Sequence, residues 1–139
     1  MGEGAWVEKE SKVRVETDAD IVLARQQGRA IARDLGFTLG NATLIATAIS
    51  ELARNIVQYA TRGEVVLKRI ENGSQKGLVV IARDEGPGIN DVRRAMEDGF
   101  STSGRLGLGL PGVRRLMDEF NIQSEVGKGT TVTASMWKA

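Results

Sequence analysis

Hydrophobic and polar positions change period along this chain, and each change predicts an element. Lys12 to Glu16 (KVRVE) alternates polar and valine positions, the two-residue period of a strand with one buried face. Thr17-Asp18-Ala19-Asp20 has the form of a capping box, so a helix is predicted from about Ala19 to Leu35, before Gly36. A second helix is predicted over roughly Ala42 to Ala60, ending near Gly63, because Ile45, Ala48, Ile49, Leu52 and Ile56 fall at helical spacing. Glu64 to Ile70 and Gly77 to Arg83 read as strands, and Glu71-Asn72-Gly73-Ser74 supplies the turn of a hairpin. A glycine-rich stretch follows from Asp84 to Gly107, with a short helix around Asp91 to Glu97. Leu108 to Phe120 reads as a third main helix. Asn121 to Val126 and Thr130 to Trp137 close the chain as strands joined by Gly127-Lys128-Gly129.

The order is β-α-α-β-β-loop-α-β-β, with strands that are mostly antiparallel neighbours and helices that can share one face. This predicts an α/β two-layer sandwich with a mixed, mostly antiparallel sheet, in a single domain over residues 1–139. An irregular stretch as long as Glu85 to Gly107 is uncommon in a compact domain and is expected to be a lid or binding loop.

Composition narrows the chemistry. The chain has 139 residues, a net charge of +1, no Cys and no His. The charge offers no strong field for nucleic acid or an anionic membrane, so neither is expected as a partner. Without Cys or His there is no thiolate site, no Ser-His-Asp triad and no phosphohistidine. The first residues carry no signal-peptide pattern and no apolar run reaches membrane-spanning length, so a cytoplasmic protein is expected. The sequons at Asn41 and Asn72 then read as chance matches.

Three constellations remain. Glu51 and Asn55 sit one helical turn apart, at the edge of the apolar stripe of the second helix. Asn competes with the backbone inside helices, so a function explains it better than propensity does. Its carbonyl is a hard ligand suited to Mg²⁺, and Glu51 can accept a proton from a hydroxyl. Taken alone, the pair also reads as a solvated face with Glu51 paired to Arg54. The second constellation is Asp84 at a strand end, followed by Gly86-Pro87-Gly88. Its carboxylate can accept a hydrogen bond from an exocyclic amino group such as that of adenine, although an ordinary turn has the same form. The third is Gly99 to Gly112, in which glycine amides and the start of a helix can converge on phosphate. Gly107-x-Gly109-x-x-Gly112 matches a dinucleotide fingerprint, but no βαβ unit surrounds it, and Gly127-Lys128-Gly129-Thr130 is not a Walker A loop.

In combination and in order, these segments resemble the GHKL ATPase superfamily, which includes gyrase, histidine kinases and MutL. Glu51-x-x-x-Asn55, Asp84-x-Gly86-x-Gly88, the Gly104 to Gly112 loop and Gly127-x-Gly129-Thr130 match its N, G1 and G2 boxes and its terminal Gly-Thr element. The resemblance covers about Val13 to Lys138. It implies a Bergerat fold of the histidine-kinase-like type that uses ATP and Mg²⁺. It implies that Asp84 reads adenine with support from Thr130, that Asn55 holds Mg²⁺ and that Glu51 is the general base. The Gly99 to Gly109 lid would bring Ser101, Thr102, Ser103, Gly104, Gly107, Leu108 and Gly109 to the nucleotide, beside Gly86 and Gly88.

The wording of Ser50 to Ile56, of Met96 to Gly104 and of Gly109 to Val113 is most similar to the small serine/threonine kinases of bacterial sigma-factor partner switching, in their stressosome branch. That resemblance implies STAS-domain scaffold or antagonist proteins as substrates and a PP2C-type phosphatase as a second partner. Two alternatives stand beside it: an anti-sigma factor kinase that binds a sigma subunit, and a nucleotide-gated binding module without kinase activity.

Overall fold

A computed structural model describes residues 6–89, 92–96 and 109–138. Strand β1 spans Trp6–Val15 and begins earlier than the alternation of Lys12 to Glu16 predicts, because it pairs along most of β2. Thr17 then caps α1, Asp18–Leu35. The capping box forms as expected: Thr17 Oγ1 accepts the Asp20 N–H at 3.3 Å, and Asp20 Oδ2 accepts the Thr17 N–H at 3.1 Å. Gly36, at φ 98°, ends α1 with its N–H directed at the carbonyls of Ala32 and Arg33.

Helix α2 spans Leu39–Asn55, three residues ahead of the predicted Ala42 start. Thr38 Oγ1 accepts the Asn41 N–H at 3.1 Å and so caps a first turn that carries no apolar stripe. The predicted continuation to Ala60 is helical but not α-helical: Ile56–Ala60 is one π-helical turn. Strands β2 (Gly63–Asn72) and β3 (Gln75–Asp84) form the predicted hairpin. The short helix around Asp91 to Glu97 is a single turn, α3, at Val92–Ala95.

The third main helix is shorter than its predicted span of Leu108 to Phe120. Helix α4 covers Gly109–Leu116, and Phe120 belongs to strand β4, Glu119–Glu125. The Asp118 N–H donates to the Ser135 carbonyl at 2.9 Å and draws the chain onto β5, Gly129–Trp137, immediately after the helix. Sheet pairing therefore takes Phe120 from the helix.

The five strands lie in the order β1-β2-β3-β5-β4, and all four pairings are antiparallel. Helices α1, α2 and α4 cover one face. Their apolar sides meet Val13, Val65, Leu67, Leu78, Val80, Val132 and Met136 of the sheet in one core. Small residues let the helices approach closely: Ala24, Ala32, Ala42, Ala48 and Ala53 are all fully buried. The result is the expected α/β two-layer sandwich.

Candidate functional site

The strand register brings one row of side chains across the whole sheet at its end. Val15 pairs with Gly63, Gly63 with Asp84, Asp84 with Thr130, and Thr130 with Ser124. The neighbouring row, Val13-Val65-Ala82-Val132-Ile122, is apolar. Side chains two residues apart on a strand share a face. Asp84 therefore lies on the helix side with Ala82 and Val80, which are buried. Across β3, β5 and β4 the sequence thus turns from apolar to polar and half-buried at this row, while Val15 of β1 stays in the core.

Asp84 is held at one oxygen. Its Oδ1 accepts the Gly86 N–H at 2.9 Å and the Thr130 N–H at 3.3 Å. Oδ2 takes no hydrogen bond from any described residue, so it remains an acceptor for a ligand. Thr130 is supported in turn, since its hydroxyl lies 2.8 Å from the Ser124 hydroxyl. Ser124 Oγ accepts the Ile89 N–H at 2.8 Å. Ser124 was not singled out by sequence; the only signal for it is its place opposite Thr130 in the β4–β5 register.

Two glycines bring these walls together. Gly129, at φ 113°, leaves only 2.1 Å between the Asp84 carbonyl oxygen and the point a Cβ would occupy. Gly88, at φ 78°, lies against the Glu125 carbonyl in the same way, at 2.4 Å. The Gly127 N–H donates to the Pro87 carbonyl at 2.9 Å, which fastens the Gly86-Pro87-Gly88 turn to the β4–β5 hairpin.

The other wall is the C-terminal end of α2. Glu51 is largely buried there, its side chain 12% exposed, and both of its oxygens are engaged. Oε2 accepts from Arg54 Nη1 at 2.6 Å, and Oε1 accepts the Gly109 N–H, at the start of α4, at 3.2 Å. The pairing with Arg54 that the sequence allowed is present, but on a half-buried surface and not on a solvated face. Asn55 is half-buried, and its side chain caps no helix and bonds to no described residue.

The π-helical turn follows directly, and Thr61 leaves it at φ 75°, ψ −46°. A β-branched residue there stores roughly 1–3 kcal/mol of strain. The turn is packed in place: Gly86 has room for no side chain because the Ala60 Cβ lies 2.6 Å from the Cβ position. The turn therefore carries the end of α2 to the Asp84 wall. Of the site residues expected from sequence, Glu51, Asn55, Asp84, Gly86, Gly88, Gly109 and Thr130 are placed in this region. Ser101, Thr102, Ser103, Gly104, Gly107 and Leu108 lie outside the described residues.

This donor set fits a purine nucleotide with a hard cation. Asp84 Oδ2 is an open acceptor, and the Asn55 carbonyl is an open hard-oxygen donor. No group of three or more Asp or Glu side chains suited to a metal occurs among the described residues. A cation here would draw most of its ligands from phosphate and water, as Mg²⁺ does.

A model of the family described as "Histidine kinase-, DNA gyrase B-, and HSP90-like ATPase" matches residues 40–139. The chain is 55% identical over 128 residues to the serine/threonine-protein kinase RsbT of Bacillus subtilis (strain 168), covering 92% of this chain and 96% of that one. It is 34% identical over 115 residues to the anti-sigma F factor of Thermoanaerobacter sp. (strain X514), covering 78% and 79% of the two chains. A crystal structure of the RsbU and RsbW domains of a Mycobacterium tuberculosis protein has the same fold, with a TM-score of 0.61 at 23% identity. That match covers 94% of this chain and 32% of the longer one. No described helix is long and apolar enough to cross a membrane.

Proposed function

The chain belongs to the histidine kinase-, DNA gyrase B- and HSP90-like ATPase family, and on that premise we propose that it is an Mg-ATP-dependent protein serine/threonine kinase of a partner-switching pathway. The observation that carries the nucleotide site is Asp84, with Oδ1 fixed by two backbone amides and Oδ2 open on the helix side of the sheet. A carboxylate so oriented accepts from the adenine amino group and rejects a base that presents an acceptor there. The identity of 55% along nearly the whole length of the kinase RsbT supports phosphoryl transfer to a hydroxyl.

Each wall then has a task. Thr130 and Ser124 hold Asp84 in place through the β5–β4 register. Asn55 offers its amide oxygen to Mg²⁺, which when bound neutralises phosphate charge. The Glu51 carboxylate receives the proton of the attacking serine or threonine hydroxyl. Phosphoryl transfer asks mainly for positioning and charge neutralisation, so a site without His is sufficient. The substrates are STAS-domain proteins, and a PP2C-type phosphatase is the second partner; the pathway is cytoplasmic. The anti-sigma relatives leave a sigma subunit as the rival partner, supported at the lower identity of 34%.

Incubation with γ-labelled ATP, Mg²⁺ and a STAS-domain protein tests this reading. Label should appear on serine or threonine of the STAS protein, and Glu51→Ala should slow its appearance by roughly 10²–10⁴-fold while still binding Mg-ATP. ATP binding without transfer to any STAS protein would leave a nucleotide-gated binding module instead.

A further inference from the structure

The carboxylate assigned as the base is engaged by two partners. Glu51 Oε2 is held by Arg54 at 2.6 Å and Oε1 receives the Gly109 amide at 3.2 Å. These contacts join two elements of the site, α2 and α4. Arg54 and Glu51 are one helical turn apart near the end of α2, where a single guanidinium nitrogen can fix the carboxylate. Gly109 is the first residue of α4 and takes φ 63°, so its amide direction is set by a left-handed backbone. Helix α4 packs beside α2, with Val113 fully buried. Only one orientation of the carboxylate serves both partners.

We infer that Arg54 is a positioning residue for the proposed reaction: it orients Glu51 and, through Glu51, latches the first amide of α4 to α2. The inference rests on the kinase reading for its catalytic half and on geometry alone for its latch half. With Arg54 in place, the Oε1 that bonds Gly109 is the oxygen that can be released toward an incoming hydroxyl, while Oε2 stays anchored. Phosphate oxygens arriving at the start of α4 would compete with Oε1 for the same N–H. Nucleotide binding and release of the base are then one exchange of partners at Gly109. Without Arg54 the carboxylate has no anchor, and both the base and the start of α4 lose their register.

Arg54→Gln and Arg54→Lys test it against a purely structural role, in which Arg54 only supports the end of α2. Arg54→Gln should lower kcat by about 10²-fold, a loss much larger than any accompanying change in KM for ATP, because the misplaced base acts on the hydroxyl after the nucleotide binds. Arg54→Lys, which keeps the charge but offers a single point of contact, should recover most of that loss. Amide exchange of Gly109 in the nucleotide-free protein should accelerate in Arg54→Gln and in Glu51→Gln alike, and remain slow in Arg54→Lys. The exchange measurement needs neither nucleotide nor substrate, so it decides the latch even if the wild-type protein transfers no phosphate. A kcat within twofold of wild type in Arg54→Gln, or Gly109 exchange unchanged in that variant, would overturn the inference.

Discussion

An asparagine at position 84 would present an amide donor to a ligand that also donates. Its oxygen would be drawn to the Gly86 and Thr130 amides that now hold Oδ1, which leaves the NH₂ group where Oδ2 now stands. A buried mismatch of this kind costs about 1–3 kcal/mol, so Asp84→Asn should weaken ATP binding by roughly tenfold to a hundredfold with the fold intact. Isothermal calorimetry measures this, and unchanged affinity would remove Asp84 from the site. Asn55→Ala should bind ATP with an affinity that no longer responds to Mg²⁺, because the open amide oxygen is lost. Titrating ATP with and without Mg²⁺ reads that difference. At this scale single motifs carried little on their own. An Asn near the end of a helix and a carboxylate before Gly-Pro-Gly each also read as ordinary structure, and only their combination and order along the chain pointed to a nucleotide site. Ser124 was illegible, because a lone serine in a strand carries no signal until the β4–β5 register sets it against Thr130.

Two elements show how local rules set the frame. Asp20 closes the cap of α1 by accepting the Glu16 and Thr17 amides, and those bonds hold its carboxyl below the ordinary carboxylate value. A lowered pKa in the folded state means that the stabilisation is fully present above the unfolded value of about 3.9. It is lost as pH falls through the lower folded value. Asp20→Ala should therefore lower the thermal midpoint at pH 7, and the gap from wild type should close on strong acidification. In the helix pair, a Cβ added at Gly28 would lie 2.1 Å from Ile49 Cδ1, and Ile49 is fully buried. Overpacking of roughly 1–3 kcal/mol outweighs the helix-propensity gain of about 0.5–1 kcal/mol. Gly28→Ala should thus be destabilised in chemical denaturation, although alanine is the better helix former. The elements that sequence placed well, α1 and the β2–β3 hairpin, carry their own signals in a capping box and a turn. The elements it misplaced depend on distant partners. Phe120 belongs to β4 because of β5, and Leu39 and Gly40 join α2 only through the Thr38 cap, without an apolar stripe of their own.

For the whole molecule, ligand binding and fold stability share one structure, because one wall of the candidate site is the end row of the sheet. A ligand that binds only the folded state stabilises it by about 2.7 kcal/mol at a hundred times its Kd. For a domain of this length that corresponds to a rise of roughly 10 °C in the thermal midpoint. Mg-ATP should produce such a rise in differential scanning calorimetry, and Asp84→Asn should reduce it at the same nucleotide concentration. The layer architecture was legible from the order of elements, since two hairpins and three helices leave few ways to cover one face of a sheet. The register that aligns Val15, Gly63, Asp84, Thr130 and Ser124 was not, because two of its four pairings, β1 with β2 and β3 with β5, join segments far apart in the chain.

That same row has a consequence for the order in which the protein matures. The β2–β3 and β4–β5 hairpins are local and cheap to close. β1 reaches β2 only across α1 and α2, and β3 reaches β5 only across α3, α4 and β4. Long closures of this kind are late and slow in folding. Asp84 gains its partner Thr130 at one of them, so a chain still emerging from the ribosome has the carboxylate but not the strand that holds it. On the proposed reading, nucleotide should therefore be retained only by chains in which β3 has already paired with β5.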